Sequence, residues 1–191
     1  MFELTLFDHL RMTFGHVVYR HQAHVRLSAS RARASRWLRT AEAVLMTGVV
    51  MTAMGAAFTS ARAYATAAAV LAGLALVILL VRLTFDLERA AQVHAACAAK
   101  LWHIREQYRA VLADMADGFI DVDTARRQRD RLMEELHQAY EAAPPPDPQA
   151  FERAGRAAGA AAAGANDAAL PDEEIDAFLP ASLQKTRRPA A

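Results

Sequence analysis

Cysteine, aromatic side chains and residue combinations that perform catalysis are all scarce in this chain of 191 residues. The lone Cys97 cannot form an internal disulfide, which fits a reducing cytoplasm, and its alanine-rich surroundings predict a small core residue. We find no paired carboxylates, no serine or cysteine with an orienting base, and no glycine-rich nucleotide loop in residues 82–191. The sequence therefore predicts a protein that is not an enzyme and that binds no cofactor.

Metal ligands are also missing at useful spacings. His9, His16, His21 and His24 enrich the N-terminal arm in histidine, but no carboxylate or cysteine completes a ligand set. We interpret these histidines as surface or interfacial residues. The aspartates of residues 114–123 do not follow the spacing of an EF-hand calcium loop. We expect no metal site.

Charge is absent from residues 43–81 apart from Arg62. Two uncharged runs of 19 residues flank that arginine, over residues 43–61 and 63–81. At about 1.5 Å of rise per residue, each run spans roughly 28 Å as a helix, close to the ~30 Å hydrocarbon core of a bilayer. The alternative is a buried hairpin of a soluble protein, but both runs are apolar on all faces. The runs predict two transmembrane helices.

The arginines around this stretch predict its orientation. Residues 1–40 hold seven arginines and two acids, a net charge of +5, and further basic residues follow the second run. The turn between the runs holds only Arg62, so the positive-inside rule places both termini in the cytoplasm, at the inner membrane. No apolar core of a cleaved signal peptide precedes the spans. The basic arm lacks a nucleic-acid fold motif, so we interpret it as a contact with anionic lipid and expect no nucleic-acid partner.

Helical spacing of apolar residues continues on both sides of the spans. The pattern predicts an N-terminal helix over residues 3–37, and it runs without a stop signal from the second span to residue 115. Gly118 predicts the end of that helix, and Asp121 or Asp123 caps the next. The fold expected is an all-α membrane protein with an N-terminal helix, a two-span transmembrane helical hairpin, and a cytosolic antiparallel helical hairpin continuing the second span.

Four regions follow from these patterns. They are a basic N-terminal cytosolic or interfacial helix (residues 1–40), a two-helix transmembrane hairpin (41–82), a cytosolic helical hairpin with a further short helix at 149–163 (83–160), and a flexible C-terminal tail (161–191). Within the tail, Ile175, Phe178 and Leu179 lie on one side of an amphipathic stretch. That stretch is either a docking segment or part of the flexible tail.

Two sets of residues are candidates for assembly. Small and hydroxyl residues recur on the spans at spacings that allow close helix approach, or that line a pore and its outer mouth. The small and hydroxyl residues are Gly48, Thr52, Gly55, Thr59 and Thr66; Arg62 joins Thr59 and Thr66 as a candidate for the outer mouth, or lies in the outer headgroups instead. A heptad-like apolar stripe on the cytosolic helices is suited to pairing copies of the chain. Its members are Leu101, Ile104, Tyr108, Val111, Met115, Leu132, Leu136 and Tyr140. The alternative for the residues on the spans is that they only pack the two helices of one hairpin against each other.

The order of these parts resembles the SLATT domain, the SMODS and SLOG-associating two-transmembrane effector, over roughly residues 5–160. The matching elements are Leu112-Ala113-Asp114 before Asp117-Gly118, an acidic turn, Arg127 with Leu132 and Leu136, Tyr140 followed by Ala143-Pro144, and Phe151 with Ala154. The resemblance is strongest around Tyr140, Pro144 and Phe151.

That resemblance implies a function. SLATT proteins are described as membrane effectors of bacterial conflict systems that are paired with nucleotide-second-messenger synthases or sensors. On activation they are thought to oligomerise, form a pore or perturb the membrane, and kill the infected cell. The resemblance thus implies the lipid bilayer, other copies of the chain and a separate signal synthase or sensor protein as partners. The alternative is a passive membrane anchor or scaffold that recruits a cytosolic partner.

Overall fold

The structure is a computed structural model that describes residues 5–59, 62–144 and 172–185, and these residues are organised as helices and connecting turns. This confirms the all-α class. The elements are α1 (Leu6–Phe58), α2 (Arg62–Thr84), α3 (Leu87–Ala116), α4 (Val122–Glu141), α5 (Asp172–Asp176) and a 3₁₀ turn at Ala181–Leu183. The short helix expected at residues 149–163 lies outside the described residues.

Helix α1 is one uninterrupted helix of 53 residues, where the sequence predicted a helix ending near residue 37 and a separate span. It begins at a side-chain cap, because the N–H of Asp8 donates to Thr5 Oγ1 (3.1 Å) and the Thr5 hydroxyl donates to Asp8 (2.8 Å). The arginine- and alanine-rich stretch between residues 28 and 43 contains no proline or glycine. Since arginine and alanine are strong helix formers, nothing there ends the helix.

The predicted continuation of the second span is wrong at one point. Helix α2 ends at Thr84 and α3 begins at Leu87, so the helix does not run unbroken from residue 63 to residue 115 as predicted. The N–H of Arg89 donates to the Asp86 carboxylate (3.1 Å), which makes Asp86 the cap of a new helix. An acidic capping residue directly after an apolar run was the start signal that the helical periodicity obscured.

The turn between α3 and α4 follows its predicted chemistry. Gly118 has a φ of 72°, the left-handed region that ends helices, and the N–H of Phe119 donates back to the carbonyl of Asp114 (2.9 Å). Asp121 caps α4 by accepting a hydrogen bond from the N–H of Thr124 (2.9 Å). Both the glycine and the aspartate were identified from the sequence.

The chain divides into two compact units. The first, which we call the bundle unit, combines the residues up to Leu27 with those from Val93 onward. Its core joins side chains of α1, α3 and α4 with three from the C-terminal region, and the α1 members are Leu10, Phe14, Val17 and Val18. The N-terminal arm is therefore part of a helical bundle, which the sequence alone did not indicate.

The second unit, which we call the apolar unit, is Ser28–Gln92. It contains the later part of α1 together with α2. The apolar unit has little interior of its own, because Ala75 is the only residue of α2 that is buried.

Candidate functional site

The apolar unit exposes most of its hydrophobic surface. In the most apolar 18-residue stretch of α1, none of the residues is buried. In the matching apolar stretch of the helical region that begins with α2, 6% of the residues are buried. Val44, Val70 and Phe58 are 66%, 64% and 84% exposed. In water, each such side chain would forgo about 1.5–3 kcal/mol of burial free energy. Two helices of this length and apolarity, uncovered on almost every side, match a lipid environment and not a soluble core.

Two glycines of α1 lie at the contact with α2. A Cβ atom added at Gly55 would stand 2.8 Å from the Tyr64 ring, and one added at Gly48 would stand 3.1 Å from Leu71. Gly55, nearer the end of α1, faces Tyr64 near the start of α2, and the earlier Gly48 faces the later Leu71, which is the order of antiparallel neighbours. Gly48 and Gly55 therefore serve close approach within one chain.

Gly73 of α2 differs from these two glycines. Among the described residues, no atom outside its own helix segment lies within 4 Å of the position that its Cβ would take. Gly73 is exposed, and its neighbours one turn away are Ala69, Val70, Leu76 and Val77, so one small residue lies open among larger side chains.

The threonine hydroxyls of the apolar unit bond to their own helices. The hydroxyl donates to the carbonyl one turn earlier in Thr47 (2.9 Å to Ala43), Thr52 (2.7 Å to Gly48), Thr59 (2.7 Å to Gly55) and Thr66 (3.0 Å to Ala63). Thr52 is half-buried, whereas Thr59, Arg62 and Thr66 are exposed at the end where α1 and α2 connect. The predicted mouth residues thus lie at the same end of the unit, and the hydroxyls of Thr59 and Thr66 already donate to backbone carbonyls.

Ion pairs mark the opposite end of the apolar unit. Arg82 pairs with Glu42, and Arg39 pairs with Glu88, so both pairs join α1 to the region at and after the end of α2. Glu42 directly precedes the first uncharged run, and Arg82 directly follows the second. The charges therefore lie where the apolar stretches end, as expected at a membrane–water boundary.

A basic and aromatic groove lies on α1 just before the first uncharged run. Arg33, Arg36, Trp37 and Thr40 line a space of about 310 Å³, and Trp37 is 74% exposed. Within the described ranges, Arg33 and Arg36 form no ion pair with a carboxylate. Exposed tryptophan beside unpaired arginine is typical of the headgroup level of a membrane.

The apolar stripe predicted for pairing copies lies in the interior of the bundle unit. Leu101 and Tyr108 have no exposed surface, Ile104, Val111, Leu132 and Leu136 are almost fully buried, and Met115 and Tyr140 pack against them. Within the chain itself, α1 occupies the surface that the sequence assigned to another copy. Tyr140 also receives the guanidinium of Arg20 over its ring, 4.4 Å from the centroid.

An arginine without exposed surface holds the C-terminal region on the bundle. Arg11 of α1 is 1% exposed, and its guanidinium pairs with Asp172 (3.0 Å) and with the buried Asp176. Lys185 bridges Asp8 (3.3 Å) and Asp172 (3.2 Å), and the hydrogen bond to Asp172 raises the pKa of Lys185. We call residues 172–185 the C-terminal segment.

Apolar anchors complete this docking. Ile175, Leu179 and Leu183 are buried in the bundle core, whereas Phe178 remains 43% exposed. An open groove of about 820 Å³ separates Phe178 and its neighbours from residues 106–113 of α3. Of the two alternatives left open by the sequence, docking is the one observed for residues 172–185. The rest of the expected tail lies outside the described residues.

Two histidines meet inside the bundle unit. The Nδ1 atoms of His24 and His94 lie 3.0 Å apart, close enough for one ring to donate to the other, and both side chains are buried. Burial, followed by the neighbouring His94, lowers the pKa of His24 to about 4. His21 instead bonds to the carbonyl of Ala98 (3.0 Å). Across the described ranges, no group of three or more potential ligands could hold a metal ion.

The sequence analysis missed the polar pairs because each joins distant parts of the chain. Arg11 had a signal, since it interrupts the apolar face formed by Leu10 and Phe14, and a charge there needs a carboxylate partner. Asp172 and Asp176 had another, because carboxylates four residues apart lie on one side of a helical turn. Neither pattern indicates that Arg11 pairs with Asp172 and Asp176.

Comparison with known proteins gives one match. A family model described as SMODS and SLOG-associating 2TM effector domain family 4 matches residues 6–162, which confirms the resemblance noted in the sequence. No curated protein and no solved structure matches the chain. The matched range includes α1 to α4 and ends before the C-terminal segment.

Proposed function

Because the chain belongs to the SMODS and SLOG-associating 2TM effector domain family, we propose that it is a membrane effector of a bacterial conflict system. The apolar stretches of α1 and α2 cross the inner membrane as a hairpin, and a separate nucleotide-signal synthase or sensor protein triggers the effector. Copies then assemble and make the membrane permeable. The chain itself carries out no catalysis. One observation carries this proposal: long apolar helices stay uncovered, while the bundle unit closes its own core.

Contacts within the apolar unit support the hairpin. Gly55 against Tyr64, Gly48 against Leu71 and Glu42 with Arg82 follow antiparallel order. The distribution of arginine supports cytoplasmic termini, because the unpaired arginines precede the first run and only Arg62 lies at the connecting end. Trp37 and its neighbouring arginines then lie at the inner headgroups.

A pore requires several copies, since two helices cannot enclose water. The inner face of the hairpin is occupied by Gly48 and Gly55, so contact between copies must use an outer face. Gly73 is the glycine that is open to a neighbouring helix. We therefore assign packing between copies to the Gly73 side of α2, and the inner glycines to the fold of one hairpin.

The experiment is inducible expression in bacteria together with the adjacent genes, read with a dye that reports membrane potential. Wild type should depolarise the membrane on activation. Gly73→Leu should reduce depolarisation at least tenfold at equal abundance in the membrane fraction, because the added side chain blocks close helix approach. Ala53→Leu, at an exposed position of α1, is the control and should retain activity. Equal depolarisation by wild type and Gly73→Leu would refute the assignment.

The second candidate, a passive anchor or scaffold, is favoured by the threonines. The hydroxyls of Thr47, Thr52, Thr59 and Thr66 donate within their own helices, so none of these four threonines offers a free hydroxyl donor to line a pore. If no trigger depolarises the membrane while the bundle unit still recruits a partner there, the anchor is the correct function. Leak that depends on Gly73 excludes it.

A further inference from the structure

The C-terminal segment binds one surface of the bundle unit through both charged and apolar side chains. Its carboxylates at positions 172 and 176 meet Arg11, and its apolar side chains enter the core beside them. Arg11 pairs with no carboxylate of the described residues other than these two. An almost fully buried guanidinium needs an acidic partner, so this surface is selective for an acidic amphipathic segment.

Within the described part of the bundle unit, the predicted pairing stripe lies in the core. The large apolar side chains that remain exposed there, apart from Phe178, come from α1, α3, α4 and the turn before α4, and they are Val25, Val93, Trp102, Phe119, Val122 and Met133. Single side chains on several elements do not make a large apolar interface. Among the described residues, the surface around Arg11 with its matching segment is therefore the strongest candidate for contact between bundle units.

Ligand and surface differ in their relation to the family domain. Arg11 lies inside the matched range of residues 6–162, whereas the segment lies beyond it. Residues 145–171 separate the segment from the end of the bundle helices. At about 3.3–3.6 Å per residue, that length of chain reaches up to roughly 90 Å, far beyond the width of a small bundle. The segment is thus an added element on a connection long enough to reach a neighbouring molecule.

We propose that the C-terminal segment also docks in trans, on the Arg11 surface of a second copy of this chain. The second copy is the occupant that the surface fits, because it carries the same carboxylates and apolar anchors. When two copies exchange this identical segment, the contacts that it makes within one chain are repeated between the two chains, and no new interface is needed. The inference deepens the proposed function, since it rests on assembly of copies and supplies the link between their bundle units.

Site-directed cross-linking tests the exchange with the wild-type charges in place. Full-length chains lacking Cys97 (Cys97→Ser) carry one new cysteine each, Ala113→Cys in one tagged chain and Ala177→Cys in another. Both positions line the same groove between α3 and the segment. Treating membranes from co-expressing cells with a short bismaleimide cross-linker, which spans the groove where a direct disulfide need not, should give a covalently linked heterodimer. Glu134→Cys on exposed α4, in place of Ala177→Cys, controls for random collision.

We expect the heterodimer at a yield at least fivefold above that control. Adding Arg11→Gln to the Ala113→Cys chain should lower the yield to the control level, because the surface loses the charge that selects the segment. A chain with both cysteines that closes only on itself, while co-expressed single-cysteine chains stay at the control level, would overturn the inference.

The membrane-potential measurement separates this outcome from the proposed function. Depolarisation without heterodimers leaves the effector function intact and overturns the exchange. Heterodimers without depolarisation support the exchange and refute permeabilisation. Absence of both refutes both.

Discussion

Replacing Asp176 by asparagine tests the docking of the C-terminal segment through a single charge. Asp176 is 5% exposed and pairs with Arg11, which is 1% exposed. Asparagine keeps the side-chain oxygen that accepts from the N–H of Lys185, so the substitution removes the charge and little else. Asp172→Asn is the matched control on the same helix, because the Asp172 side chain pairs with the same arginine but is 44% exposed.

The exposure of the two carboxylates sets the magnitudes. Removing one partner of a buried ion pair costs about 3–5 kcal/mol, whereas a solvated pair contributes about 0–1 kcal/mol. The loss cannot exceed the free energy of docking, to which Ile175, Leu179 and Leu183 each contribute about 1.5–3 kcal/mol before ordering costs. At about 1.4 kcal/mol per factor of ten, Asp176→Asn should increase undocking at least about 100-fold or release the segment fully.

Hydrogen exchange of the backbone amides reports undocking directly. In the bound segment, the N–H of Leu183 donates to Pro180 and that of Lys185 donates to Asp176. In detergent micelles, these amides should exchange at least about 100-fold faster in Asp176→Asn and within about tenfold of wild type in Asp172→Asn. Amides of α4 serve as the internal reference. Equal acceleration in both variants would show that burial of the pair does not hold the segment.

Three further predictions concern the bundle unit. The pKa of His24, lowered to about 4 by burial and then by His94, is below its unfolded value near 6.5, so the unfolded chain takes up the proton first as pH falls. The contribution of neutral His24 to the free energy of unfolding should therefore be fully present above about pH 6.5 and fall by about 2 kcal/mol by pH 5. Denaturant titrations at several pH values should show this loss for wild type. An equally steep loss in His24→Gln would contradict the prediction. The buried Tyr108 hydroxyl has no hydrogen-bond partner among the described residues, so Tyr108→Phe should leave the free energy of unfolding unchanged or raise it by up to about 1 kcal/mol, against a loss of about 3–5 kcal/mol for Tyr108→Ala. A clear loss in Tyr108→Phe would reveal a missed partner. Gly118→Ala should cost about 1–2 kcal/mol because of its positive φ, and Gly118→Asn should cost less; thermal melts that rank them oppositely would refute the turn argument.

Local chemistry was readable from the sequence wherever neighbours in the chain determine it. The helical uncharged runs, the glycine that ends α3 and an aspartate that caps α4 depend on nearby residues; the structure shows long apolar helices at the runs, Gly118 at the end of α3 and Asp121 as the cap. The uninterrupted α1 does not follow from composition, because the change from the basic residues 26–39 to the apolar run that begins at residue 43 resembles a boundary between two helices. Composition decides what surrounds a helix, whereas proline, glycine and caps decide where it ends.

Long-range partners were not readable in the same way. The apolar stripe containing Leu101 and Tyr108 predicted a packing partner correctly, but periodicity does not say whether the partner belongs to the same chain. The N-terminal arm fills that role in the structure. Arg11 and Asp176 are separated by most of the sequence, so their pairing depends on a tertiary fold that no local pattern encodes.

The inward-bonded threonines of the apolar helices have an electrical consequence. A hydroxyl that donates to its own backbone leaves no group that must attract water into the hydrocarbon. Under the proposed function, a solitary hairpin in the bilayer would therefore be an insulator, and a cell could hold many of them without dissipating its ion gradients. Harm to the host would then begin only when separate hairpins come together around a common axis.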